Sequence, residues 1–177
     1  MRRALPLLAA VLLAACATPP RPAPGSSAEP AWTTGRISVR IAASADQNAQ
    51  SMTGGFELRG TGEAGELRLN SPFGSRLASA RWAPGEAVLG TPEGERRFEN
   101  LDSLSRAALG EALPLAALPD WLAGRPWPGA VHRVMEDGFE QLGWIVALEK
   151  RADGLIEARR PAAPEVLVKL RLDADIP

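Results

Sequence analysis

From Gly35 to Ile41 the chain alternates: Ile37, Val39 and Ile41 are apolar, while Arg36, Ser38 and Arg40 are polar. That period of two belongs to a strand with one face buried and one face wet. The pattern recurs at Gly54 to Gly60, Glu66 to Leu69, Leu77 to Trp82, Ala87 to Leu89 and Arg96 to Phe98. Turn residues separate the runs: a polar stretch from Ser44 to Gln50, Gly-Thr-Gly at 60–62, Asn-Ser-Pro-Phe-Gly at 70–74, Pro84-Gly85 and Pro92-Glu93-Gly94. After Pro128 strands return at Val131 to Glu136, Phe139 to Leu142, Trp144 to Lys150, Leu155 to Arg159 and Val166 to Leu172. Asp137-Gly138 and Asp153-Gly154 read as hairpin turns. A chain so divided folds as a meander of antiparallel strands.

The period changes once. Leu101, Leu104, Ala108 and Leu109 recur at helical spacing, with Asp102 or Ser103 able to cap the start and Gly110 to stop it. A second helix is expected near Leu115 to Ala123, opened by Pro114 and closed by Gly124. Both are too short to stand alone. They must lie on the sheet, so the fold class is mainly β with two short helices (α+β): a curved antiparallel sheet closed by helices.

Before residue 32 the chain has a different character. Met1-Arg2-Arg3 is followed by an apolar run, Ala4 to Ala15, and by the only cysteine, Cys16. A basic start, an apolar stretch and small residues before a cut form a secretory signal. The apolar run is about 12 residues, short of the roughly 20 a spanning helix needs. Leu13-Ala14-Ala15-Cys16 resembles the lipobox of bacterial lipoproteins, which implies cleavage before Cys16 and a covalent lipid on it. Residues 16–31 are Pro-rich and too poor in apolar surface to fold, the composition of a tether. The expected organisation is a signal at 1–15, a lipidated cysteine and tether at 16–31, and one domain at 32–177. Ala17, rather than Asp, follows the cysteine, and by the same resemblance the address is the outer membrane.

Catalytic chemistry is sought in vain. The single histidine, His132, has no nucleophile motif to serve, and a solvent-facing place on a strand suits it better. There is no phosphate loop, dinucleotide fingerprint or metal-spaced His/Cys cluster. Lys and Arg number 20 against 21 Asp and Glu, so no basic excess calls for nucleic acid. Trp121, Trp127 and Trp144 lack the clustered basic residues of a base-stacking surface. No cofactor is expected beyond the covalent lipid on Cys16.

Several segments in order resemble the LolB family of outer-membrane lipoprotein receptors. They are the lipobox; Gly35-Arg36-Ile37-Ser38-Val39; Gly55-Phe56; Leu67 to Gly74, with its Asn-Ser-Pro-Phe-Gly turn; Ala112-Leu113-Pro114; Leu118 to Pro126, with Trp-Leu-Ala-Gly-Arg-Pro; and Gly143-Trp144-Ile145-Val146. The resemblance implies an open half-barrel with helices over its concave face and a LolA/LolB-like fold. It implies no enzyme but a monomeric receptor, facing the periplasm. That receptor accepts client lipoproteins from the periplasmic carrier LolA, binds their acyl chains in an apolar cavity and inserts them into the outer membrane.

Alternation and the helix faces suggest the cavity lining: Ile37, Val39, Phe56, Leu58, Leu67, Leu69, Leu118, Trp121, Leu122, Val146, Leu148, Val168 and Leu170. A register slip of one residue would reverse any strand's face. Pro72, Phe73 and Gly74 would form a membrane-insertion loop by resemblance, unless Phe73 folds back on the sheet. Two other readings stay open: a structural outer-membrane lipoprotein with a filled β core, and a tethered hydrolase, which lacks a nucleophile.

Overall fold

The computed structural model describes residues 30–45 and 48–174. The signal, Cys16 and the tether as far as residue 29 lie outside the described residues.

Six strands come first: β1 (Thr33–Ile41), β2 (Gln50–Gly60), β3 (Gly65–Asn70), β4 (Arg76–Ala83), β5 (Glu86–Thr91) and β6 (Gly94–Phe98). Then come α1 (Leu101–Leu109), a 3-10 turn (Leu115–Ala117) and α2 (Leu118–Leu122). Five more strands follow among the described residues: β7 (His132–Met135), β8 (Gly138–Gln141), β9 (Trp144–Ala147), β10 (Leu155–Arg160) and β11 (Val166–Leu172). All eleven join one antiparallel sheet in the order β6-β5-β4-β3-β2-β1-β11-β10-β9-β8-β7. A sheet this wide curls rather than staying flat, because each strand adds its share of right-handed twist. Two meanders meet at its centre, where β1 pairs β11 over the full run Gly35↔Leu172 to Ile41↔Val166.

The period-two pattern sorts the two faces. Ile37, Val39, Ile41, Phe56, Leu58, Leu67, Ile156, Val166, Val168 and Leu170 are buried on the inner face with both helices. The outer face carries charge. There Glu66 accepts from Arg68 Nε at 2.6 Å and Arg59 Nη2 at 3.0 Å. The guanidiniums of Arg59 and Arg68 lie 4.5 and 4.2 Å from the ring of Trp32, pinning the chain where the domain begins. Burial raises the Glu66 pKa, but the two guanidiniums outweigh it and hold the carboxyl below its ordinary value. A lowered carboxylate pKa stabilises the fold above the unfolded value, about 4.3, and that contribution disappears as pH falls through the folded value. Glu66→Gln should therefore cost about 1 kcal/mol at neutral pH. Urea midpoints of variant and parent should converge as the pH is lowered below 4.

Register fixes which turns share an end. Asn70 lies opposite Gly55, Gln141 opposite Trp144, Arg160 opposite Val166, and Val166 opposite Ile41. The β3–β4, β5–β6, β8–β9 and β10–β11 turns thus lie at one end of the strands, with Val131 before β7. The β2–β3, β4–β5 and β7–β8 turns and the start of β1 lie at the other.

Local structure departs from the sequence expectations in four places. β2 begins at Gln50, the last residue of the expected turn, and so starts four residues before the expected Gly54; the length of β1 supplies the ladder partners, Ser38↔Thr53 and Arg40↔Ser51. Asn100, rather than Asp102 or Ser103, caps α1, its Oδ1 accepting from Ser103 N at 2.8 Å. The second helix is broken into the 3-10 turn and α2. The strand expected to run to Lys150 ends at Ala147, and Gly154, at φ 77°, closes a 3-10 turn (Arg151–Asp153) instead of a two-residue hairpin.

Candidate functional site

The site begins with how the helices are held over the sheet. α1 ends at Gly110, whose N–H bonds the Arg106 carbonyl at 2.9 Å with φ 79°. The next segment returns to α1: Leu113 N donates to the buried Ser105 hydroxyl at 3.0 Å. This turns Leu113, Leu115, Leu118, Trp121 and Leu122 toward the sheet, where all are buried. Trp121 meets Phe139 and Trp144 with ring centroids 6.2 Å away in each case, in edge-on and tilted contacts.

Gln141 fastens the cover from below and was not singled out in the sequence. It is 1% exposed and sits on β8 beside the buried Phe139. Its Oε1 accepts from Trp121 Nε1 and Trp127 N, each at 2.9 Å. Its Nε2 donates to the carbonyls of Trp127 at 2.7 Å and Ala130 at 2.8 Å. One side-chain amide so uses its full bonding capacity to tie α2 and the following loop to the sheet. The one sequence signal was its inward parity, shared with Phe139.

Between helices and sheet the packing is incomplete. A small cavity of about 40 Å³ is bordered by Ile37, Val39, Leu67, Leu69, Leu118, Trp121 and Val168 together with Met52, Leu109 and Leu115. Beside it a groove of about 490 Å³ runs between α1 and strands β2 to β6, its mostly apolar walls including Glu93 and Arg96. Met52, Leu67, Leu69, Leu109 and Leu115 border both spaces. The groove also touches Leu77 and Thr91 near the β3–β4 and β5–β6 turns, so it opens at that end of the sheet. Its size falls within the roughly 300–1,000 Å³ typical of small-molecule sites. Phe56, Leu58, Leu122, Val146 and Leu170 are buried in the core without bordering either space, and Leu148 packs partly buried beyond β9. A larger depression, about 740 Å³ around Arg36, Arg151 and Asp173, is walled by charge and has no apolar bed for a hydrocarbon chain.

The β3–β4 turn carries the second feature. Ser71 organises it. Ser71 N donates to the Ser75 carbonyl at 2.8 Å, and its carbonyl accepts from Gly74 N at 2.9 Å. Its Oγ accepts from Phe73 N at 3.3 Å and Ser75 N at 3.2 Å. Gly74 has φ 84°, a conformation a side chain would strain. Phe73, held on this closed turn, is 95% exposed and does not fold back on the sheet. His132 is also exposed, and among the described residues no cluster of three metal-binding side chains occurs.

The family model described as outer membrane lipoprotein LolB matches residues 32–172, the whole of the sheet and its helices. An outer-membrane lipoprotein LolB from Bordetella pertussis is 36% identical, covering 93% of this chain and 87% of the relative. Another from Chromobacterium violaceum is 35% identical over 86% of this chain and 85% of the relative. A match that spans both meanders, the helices between them and the Phe73 turn places this chain in the LolB family of outer-membrane lipoproteins.

Proposed function

We propose that this protein receives lipoproteins through the groove under α1 and releases them at the Phe73 end. As a LolB homologue it is a non-enzymatic receptor of the outer membrane, facing the periplasm and inserting lipoproteins delivered by LolA. The observation that carries the finer reading is an apolar groove opening at the same end as an exposed aromatic tip. An acyl chain lying along Leu67, Leu69, Leu104 and Leu109 gains the burial it would have in a bilayer. Transfer then needs no reaction, only successive apolar sites of rising affinity. The protein acts as a monomer, with the signal at 1–15 removed and lipid on Cys16 supplying the anchor; two or more acyl chains hold a protein stably on a membrane.

The small cavity is too tight for a chain, so the rival reading of a filled β core turns on the groove. Ala108 tests it, being solvent-exposed on α1 and bordering the groove. Ala108→Trp should fill the space without straining the core. Stability should stay within about 0.5 kcal/mol, as for surface changes generally. Acceptance of a radiolabelled lipoprotein from loaded LolA, followed by co-purification, should fall at least severalfold. Undiminished acceptance with the groove filled would favour the structural lipoprotein.

A further inference from the structure

The Phe73 turn is one of several at its end of the sheet, and its neighbours share its character. The β8–β9 turn is Leu142-Gly143, and both residues have positive φ, 55° and 76°. Two positive φ values make a I′-type hairpin, where Asn-Gly is the favoured pair. Leucine is disfavoured there, and no packing compensates, because Leu142 is 47% exposed. Continuing the β7–β8 register sets Leu142 beside Val131, itself 93% exposed. The β10–β11 turn adds Pro161-Ala162-Ala163, all exposed. The Phe73 and β8–β9 turns bear no charge, and the β10–β11 turn bears one, Glu165, where it enters β11. Of the described acids near this end, Glu111 is paired with Arg160 at 2.7 Å, Glu165 with Arg159 at 3.8 Å and Glu140 with Arg133. Glu93 is exposed in the β5–β6 turn, and Asp173 borders the depression beside Ser71, Pro72 and Gly74. Turns at the opposite end carry Glu63, Glu136, Asp137, Glu149 and Asp153 against Lys150 and Arg151, a net acidic excess.

From this polarity we infer that the whole end, and not the Phe73 turn alone, is a bilayer-docking rim, with Leu142 and Val131 as its second apolar contact. The inference rests on the reading that Phe73 enters lipid. Five strand spacings separate β3 from β9, roughly 24 Å along the sheet. Apolar points so far apart, with polar backbone between them, do not fill one protein groove. A fluid lipid surface takes both at once. The acidic far end reinforces the orientation, since anionic headgroups repel it. Two contacts would also fix the tilt of the domain, so that the groove mouth faces the membrane.

The test uses the full-length lipidated protein with one added cysteine, labelled with an environment-sensitive fluorophore at 73, 131, 142 or 136. Proteoliposomes of phosphatidylethanolamine and phosphatidylglycerol carry a nitroxide lipid as quencher. Probes at 142 and 131 should be quenched severalfold more than the probe at 136, which corrects for mere tethering. If 142 and 131 match 136 while 73 is quenched, the rim is wrong and the Phe73 contact survives. If 73 also matches 136, both readings fall. A probe at 142 that responds to LolA without vesicles, and not to lipid, assigns the surface to a protein and overturns the proposal. Leu142→Asn supplies a folded variant, since Asn suits the turn; its melting temperature should hold or rise while cargo release to vesicles slows.

Discussion

Gln141→Leu should unfold this domain at markedly lower urea, with a loss of about 3–5 kcal/mol. The substitution nearly preserves volume, so little of that loss comes from packing. It comes from four polar groups left behind: the Trp121 indole N–H, the Trp127 amide N–H, and the carbonyls of Trp127 and Ala130. A buried group deprived of its partner costs roughly 1–3 kcal/mol. Trp121 is 1% exposed and cannot turn to water, whereas the loop carrying Trp127 and Ala130 is half-buried and can recover part of its bonding. The sum therefore falls short of four full penalties. Equilibrium denaturation followed by tryptophan fluorescence measures it. A midpoint lowered by less than about 1 kcal/mol equivalent would mean that the helix cover is held by apolar contact alone. Acceptance of cargo should fall with stability here, in contrast to Ala108→Trp, which separates the two.

The different fates of these residues in the sequence have physical causes. Strands β1 and β11 were plain because one face is buried and the other wet, which writes a period of two into the residues themselves. Their pairing was not plain: Ile37 and Leu170 are far apart in the chain, and no local rule selects among possible partners. Asn100 is not legible as the cap, because capping depends on where the backbone first turns, and Asp102 and Ser103 offer equally good chemistry nearby. Gln141 looked like any polar residue on a strand; its worth lies in carbonyls and N–H groups from the distant segment around Trp127. The groove is a negative feature, a space that α1 fails to fill, and alternation says nothing of it. Alternation did assign Ile37, Val39, Leu67 and Leu69 to one face, and the inner spaces lie over that face. Phe73 was legible as a turn residue from Pro72 and Gly74, but its exposure was not, because an aromatic ring at a hairpin tip has two stable choices. The four hydrogen bonds through Ser71 settle a tight turn, and the ring stands outside it.

Phe73→Glu should abolish most delivery to membranes while leaving the fold alone. At 95% exposure the ring supports nothing, so the melting temperature should barely move. Ser71 and Gly74, which shape the turn, are untouched. The groove is also untouched, and acceptance from LolA should remain near normal. What changes is the free energy of the tip in lipid. Burying a phenyl side chain is favourable by roughly 1.5–3 kcal/mol, and a carboxylate forfeits that gain and resists dehydration besides. Since 1.4 kcal/mol is tenfold in an equilibrium, membrane contact through the tip should weaken by about tenfold or more. Cargo should then accumulate as a stable complex of receptor and lipoprotein instead of appearing in vesicles. Phe73→Leu keeps an apolar tip and should restore most of the delivery, which a purely steric role for the ring would not allow. A large drop in melting temperature for Phe73→Glu would place the ring in the core after all. Normal release by that variant, with the fold intact, would remove Phe73 from the transfer step.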